Sequence, residues 1–115
     1  MPNQEEWSDE LDALIAAPKN HALLLENERV RILDTRVRPG ETVPLHTHRW
    51  PGTVYILSSS HFVRRDAEGR VTKDCRGDEP VRSGSAYWSE PLPPHTFENI
   101  GETEFRAITV ELKSE

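Results

Sequence analysis

From residue 19 onward the chain is a run of short β-prone segments with turn signals every eight to twelve residues. Val, Ile, Thr, Tyr and Phe favour a pleated surface, whereas Gly, Pro, Asn and Asp end strands. The segments are 21–26, 30–37, 42–48, 53–57, 61–65, 71–75, 85–89, 95–100 and 105–112. Asp66 to Arg70 reads as a hairpin loop, and Pro91-Leu92-Pro93-Pro94 as a rigid turn. Many short strands at this spacing predict an all-β antiparallel sandwich or barrel.

Only the start of the chain has a helical period. Trp7, Leu11, Leu14 and Ile15 fall at i, i+4, i+7 and i+8, so residues 4–17 are expected to form a short amphipathic helix. Asn3 with Glu6 offers a capping box, and Pro18 stops the helix. The expected division is a helical segment over 1–20 and one β domain over 21–115.

Partners are bounded by charge. A net charge of −6 repels phosphate backbones, so no nucleic-acid partner is expected. No apolar run approaches the roughly 20 residues that span a bilayer, and the acidic start differs from a secretory signal. The expectation is a cytoplasmic protein without a membrane partner. Cys75 is the single cysteine, cannot form an internal disulfide, and reads as an inert thiol.

Chemistry concentrates in the histidines. His46 and His48 lie at i and i+2 on a β-prone segment and so share one face. His95 arrives from a distant segment. Three convergent imidazoles hold a transition metal and leave positions open for water or substrate. The plainer alternative is interior histidines satisfied without a metal. His21 and His61 fit no motif and are read as solvent-facing or locally satisfied.

Gly40, His46 and His48, with Gly84, His95 and Asn99 at matching intervals, resemble the paired motifs of the cupins over roughly residues 29–113. The resemblance implies a cupin-type antiparallel jelly-roll β-barrel with a short N-terminal helix. It also implies a homodimer, with strands or the first helix exchanged. Two departures stand out. The first motif places a glutamate at position 52 or 53, where this chain has Gly52 and Thr53, and Ser59 or Ser60 replaces its closing glycine. Glu90 and Leu92 replace the second motif's Pro and Gly.

What the resemblance retains is a three-histidine site of His46, His48 and His95. Cupins of that kind include thiol dioxygenases and a β-diketone-cleaving dioxygenase, all iron enzymes. The expected cofactor is therefore a divalent transition metal, Fe(II) first, with Zn, Ni or Cu equally suited to imidazole. Whether Glu90 or water takes the place of the missing glutamate stays open, and a turn residue at Glu90's position more often faces solvent. The expected activity is dioxygenase-type chemistry on a small organic molecule; the alternative is a non-catalytic metal or small-ligand binding protein.

Tyr55, Trp88, Phe97 and Asn99 are candidate pocket residues, with alternation allowing only one of Tyr87 and Trp88 to face inward. Arg49 and Trp50 fall near the pocket mouth. Arg29, Arg31, Arg36 and Arg38 read as a solvated outer face.

Overall fold

The computed structural model describes residues 7–74 and 82–113. Its strands are β1 (His21–Glu26), β2 (Val30–Val37), β3 (Thr42–His48), β4 (Gly52–Ser58), β5 (Phe62–Asp66), β6 (Val71–Asp74), β7 (Ala86–Ser89), β8 (Leu92–Asn99) and β9 (Phe105–Leu112). Among the described residues they pair into two antiparallel sheets, β1-β2-β9-β4-β7 and β3-β8-β5-β6. This is the expected all-β architecture, seen as two facing sheets.

The core lies between them. Val37, Val43, Val54, Ile56, Phe62, Phe97, Phe105 and Ala107 are buried together, with Phe62 stacked on Phe97 at 4.5 Å between ring centroids. Alternation delivers these residues: on β4, Gly52, Val54 and Ile56 are buried while Thr53, Tyr55 and Leu57 are exposed.

Two expectations need correcting. In place of one helix, the described part of 4–17 forms a 3₁₀ turn (Asp9–Leu11) followed by a single-turn helix, α1 (Ala13–Ala16). Ser8 and Asp12 cap these pieces, and each cap resets the backbone, which breaks the expected stripe and leaves Ile15 62% exposed. The capping box of Asn3 and Glu6, like Cys75, lies outside the described residues.

The expected Pro turn is also absent. Pro93 and Pro94 lie inside β8, paired irregularly with β3, which carries Pro44. Proline lacks the N–H of a regular ladder, and the register of this pair shifts between Val43 and His46 and again between His46 and His48.

Gly40 and Gly84 both have φ of +82°, a left-handed conformation that glycine adopts without strain. At the Gly40 turn the Gly40 N–H donates to Asn99 O, and Asn99 N–H donates to Glu41 O. The two glycine-led segments thereby meet at one end of the sheet.

Candidate metal centre

The irregular β3–β8 pairing sets two histidines in the same way. His46 Nδ1–H donates to Pro44 O at 2.7 Å, and His95 Nδ1–H donates to Pro93 O at 2.7 Å. In both, a proline carbonyl two residues back fixes the ring, and His46 pairs directly with His95 across the ladder. Their ring centroids are 4.3 Å apart. His48, 5.1 Å from His46, donates from Nδ1 to Glu111 Oε2 at 2.8 Å.

A fourth imidazole joins them. His21 is 5% exposed, with its ring 5.0 Å from His46 and 5.3 Å from His48. Its Nδ1–H donates to Ala17 O at 3.0 Å. Of the two readings given for His21, solvent-facing is overturned, while the hydrogen bond to Ala17 four residues back fits local satisfaction. No periodicity or motif in the sequence marks this position, since His21 alone is buried on a strand otherwise exposed. His61 lies elsewhere, on a separate pocket with Ser60 and Gly101.

All four Nδ1 atoms face acceptors that carry no proton to give, so each ring is an Nδ1–H tautomer. In His21, His46 and His95, which burial holds neutral, Nε2 is then a bare lone pair. Ligand atoms of His21, His46 and His48 lie within 4.8 Å of one another and could hold a metal ion. The donor set fits a divalent transition metal, for which neutral imidazole is a good ligand.

Burial keeps His21, His46 and His95 neutral. It is the largest influence lowering His21 to about 4 and His95 to about 3, with repulsion from His48 next in each. His46 is lowered further, by burial and then by repulsion from His95, His48 and His21. No proton need leave these three before a metal enters at neutral pH.

Beside the rings sits a buried charge cluster. Arg31 is 4% exposed, not on the solvated face expected for it, because the inward phase of β2 runs through Arg31, Leu33 and Val37. Its Nε donates to Glu111 Oε1 at 2.7 Å, and its two terminal nitrogens donate to the Asp12 carboxylate at 2.9 Å each. Burial pushes the Glu111 carboxyl up, but the hydrogen bond from His48 and the charges of His48 and Arg31 outweigh it and hold it below its ordinary value.

Sequence reasoning missed Glu111. The signal was present: it shares the inward phase of Phe105 and Ala107 on β9 and stands opposite Arg31 in the β2–β9 register. It also pairs with Gly52 across β4. A Cβ on Gly52 would lie 1.9 Å from Val110 O, so the backbone leaves no room for a side chain at position 52. Glu90, the other suggested carboxylate, is exposed and accepts from Trp88 Nε1.

A cavity of about 70 Å³ lies over the four rings, larger than one or two waters require. Val43, Val54, Leu92, Phe97, Phe105 and Ala107 supply its apolar wall. The expected pocket residues divide. Phe97 lines the cavity, whereas Tyr55 and Trp88 are 46% and 52% exposed on the outer face. The β4–β7 register explains this: Val54 pairs with Tyr87 on the pocket side, and Thr53 with Trp88 on the other.

Asn99 is buried outside the cavity lining. It accepts from the Ser60 hydroxyl and Gly101 N–H and donates to Val37 O and Thr103 O, a fully engaged brace between segments. Trp50 lines the cavity with Arg31 5.0 Å and Lys113 5.4 Å from its ring centroid, while Arg49 donates to Trp7 O and to Asp9.

No family model and no curated protein matches the sequence. Solved structures do. A cupin domain from Bordetella pertussis Tohama I is 22% identical, with a TM-score of 0.67 over 82% of this chain and 92% of that one. The polyketide cyclase RemF from Streptomyces resistomycificus is 20% identical, with a TM-score of 0.57 over 97% of this chain and 78% of that one. An RmlC-like cupin-family protein with a double-stranded β-helix fold, from Methanocaldococcus jannaschii, is 14% identical, with a TM-score of 0.56 over 82% and 81%.

Proposed function

The chain has the cupin fold, and from that premise we propose that it is a metal-dependent enzyme of the dioxygenase type acting on a small, largely apolar organic molecule. One observation carries the reading: four imidazoles, each with Nδ1 already engaged, line one cavity together with an apolar wall. His46 and His48 would hold the metal, with His21 and His95 on either side. A divalent metal there would supply Lewis acidity and, as Fe(II), a redox-active centre for O₂, with the net electrons coming from the substrate. The chain's own residues shape and dry the site: Val43, Val54, Phe97 and Phe105 exclude water and favour an apolar body.

The favoured substrate class is a β-diketone, whose paired oxygens suit a metal and whose substituents suit the apolar wall. The likeness to a polyketide cyclase along nearly the whole chain supports a second reading, ring closure of a poly-ketone by the same site without O₂.

The test is to load the chelated protein separately with Fe(II) and Zn(II), and to measure metal content, O₂ uptake and product with a panel of β-diketones and thiols. The expected result is about one metal per chain, lost in His46→Ala/His48→Ala, with O₂ uptake in the Fe(II) form. Anaerobic turnover by the Zn(II) form would favour ring closure. Metal without turnover would leave a binding protein, and no metal after loading would sink the site.

The proposed assembly is a homodimer. Among the described residues β1 is the outer strand of its sheet, and Leu23, Leu24 and Leu25 are 47%, 55% and 47% exposed along it. An open edge carrying three leucines pairs with its own copy about a two-fold axis, satisfying both sets of backbone groups. Light scattering should give twice the 13.2 kDa chain mass, and Leu24→Glu should shift it toward the single-chain value. A single-chain mass for the unsubstituted protein would exclude this pairing.

A further inference from the structure

We propose that Glu111 is a positioning residue of the metal site, locking His48 in its Nδ1–H tautomer and aiming its Nε2 into the cavity. The inference rests on the metal reading above. Glu111 is 1% exposed, and both its oxygens are engaged, one by His48 at 2.8 Å and the other by Arg31 at 2.7 Å. It therefore acts through His48 and is not itself a spare ligand. His21, His46 and His95 lean on neutral backbone carbonyls, whereas His48 leans on a carboxylate. A carboxylate partner makes an imidazole the more basic donor and fixes its orientation.

The cluster extends the effect to the N-terminal segment. Arg31 is held from its other side by Asp12, which caps α1 and bridges to Thr47 between His46 and His48. Ala17, directly after α1, supplies the carbonyl that orients His21. The docked segment thus supports two imidazoles of the site.

The experiment uses the full chain with Glu111→Ala and Glu111→Gln. Histidine ¹⁵N shifts in the metal-free proteins report the tautomer, while chelator competition and the visible spectrum report Co(II) binding. In Glu111→Ala, His48 should become a tautomer mixture, Co(II) affinity should fall about 10–100-fold, and the spectrum should shift. Glu111→Gln, whose amide oxygen still accepts the Nδ1–H, should keep the tautomer and recover part of the affinity.

A folded Glu111→Ala protein with His48 still wholly Nδ1–H and Co(II) affinity within about twofold overturns the proposal. If that variant does not fold, Glu111→Gln decides: unchanged affinity and spectrum would leave the carboxylate without a role at the metal. No Co(II) uptake by the unsubstituted chain would sink the metal reading, and the tautomer measurement would still settle whether Glu111 orients His48.

Discussion

Arg31→Met should destabilise the protein by about 3–5 kcal/mol at pH 7. Arg31 stands between two carboxylates in a nearly dry setting: its side chain is 5% exposed, that of Glu111 1% and that of Asp12 15%. Methionine fills much of the same space but leaves both carboxylates without the charge that compensates them. Breaking a buried pair by removing one partner is strongly destabilising for this reason. For a domain of this size such a loss lowers the melting temperature by roughly 10–20 °C. It is also a large share of the ~5–15 kcal/mol that holds a typical domain together.

A companion variant separates charge from packing. Asp12→Asn/Arg31→Met/Glu111→Gln removes every charge of the cluster at once and should recover at least half of the single variant's loss. If urea unfolding placed the triple variant no higher than Arg31→Met, the penalty would lie in lost packing around Trp50. A single-variant loss below about 1 kcal/mol would mean that water reaches the cluster.

The same cluster marks the limit of what the sequence disclosed. Strand positions were legible because alternation and turn chemistry are local: β1, β2, β3 and β9 lie where the residue pattern predicts. His46, His48 and His95 stood out because their intervals coincide with a known pattern, whereas the ligand atoms lying within 4.8 Å of one another are those of His21, His46 and His48. Arg31 was misread because an arginine in an alternating segment resembles an outer face until its partners are known. Those partners, Glu111 and Asp12, stand 80 and 19 residues away in the chain.

His21 escaped for a related reason. Nothing near it in sequence says that β1 begins beside β3's histidines; the carbonyl of Ala17 and the docking of α1 bring it there. Trp88 and Tyr55 were placed inside on residue type, and the β4–β7 register puts Val54 and Tyr87 there instead. A one-residue change of phase exchanges the faces of a strand, and only the pairing fixes the phase. The absent motif glutamate has a physical account too. The backbone of β9 stands where a side chain at position 52 would begin, and the site's carboxylate comes from β9 itself.

The metal-free protein should lose stability steeply as pH falls from about 6.5 to 4. His21, lowered to about 4, and His95, lowered to about 3, are neutral in the fold where the unfolded chain would already be charged. His46 is displaced in the same direction by its burial and by its three neighbouring rings. Below the ordinary histidine value of 6.5, the unfolded chain therefore binds more protons than the folded one, so stability decreases with acid; above 6.5 neither state binds them and the contribution is flat. Each such ring gives a slope of up to about 1.4 kcal/mol per pH unit, and three together approach roughly 4.

Glu111 and Asp12, both held below their ordinary values, add their own loss only further into acid. Urea midpoints of chelated protein measured every half unit from pH 8 to 4.5 should thus run level to about 6.5 and then bend sharply down. His46→Gln removes one of the three groups and should flatten the acid limb by about a third. A level profile down to pH 5 would mean that the rings titrate as ordinary histidines, with water already among them. The dry, pre-neutralised donor set on which the metal reading depends would then be absent.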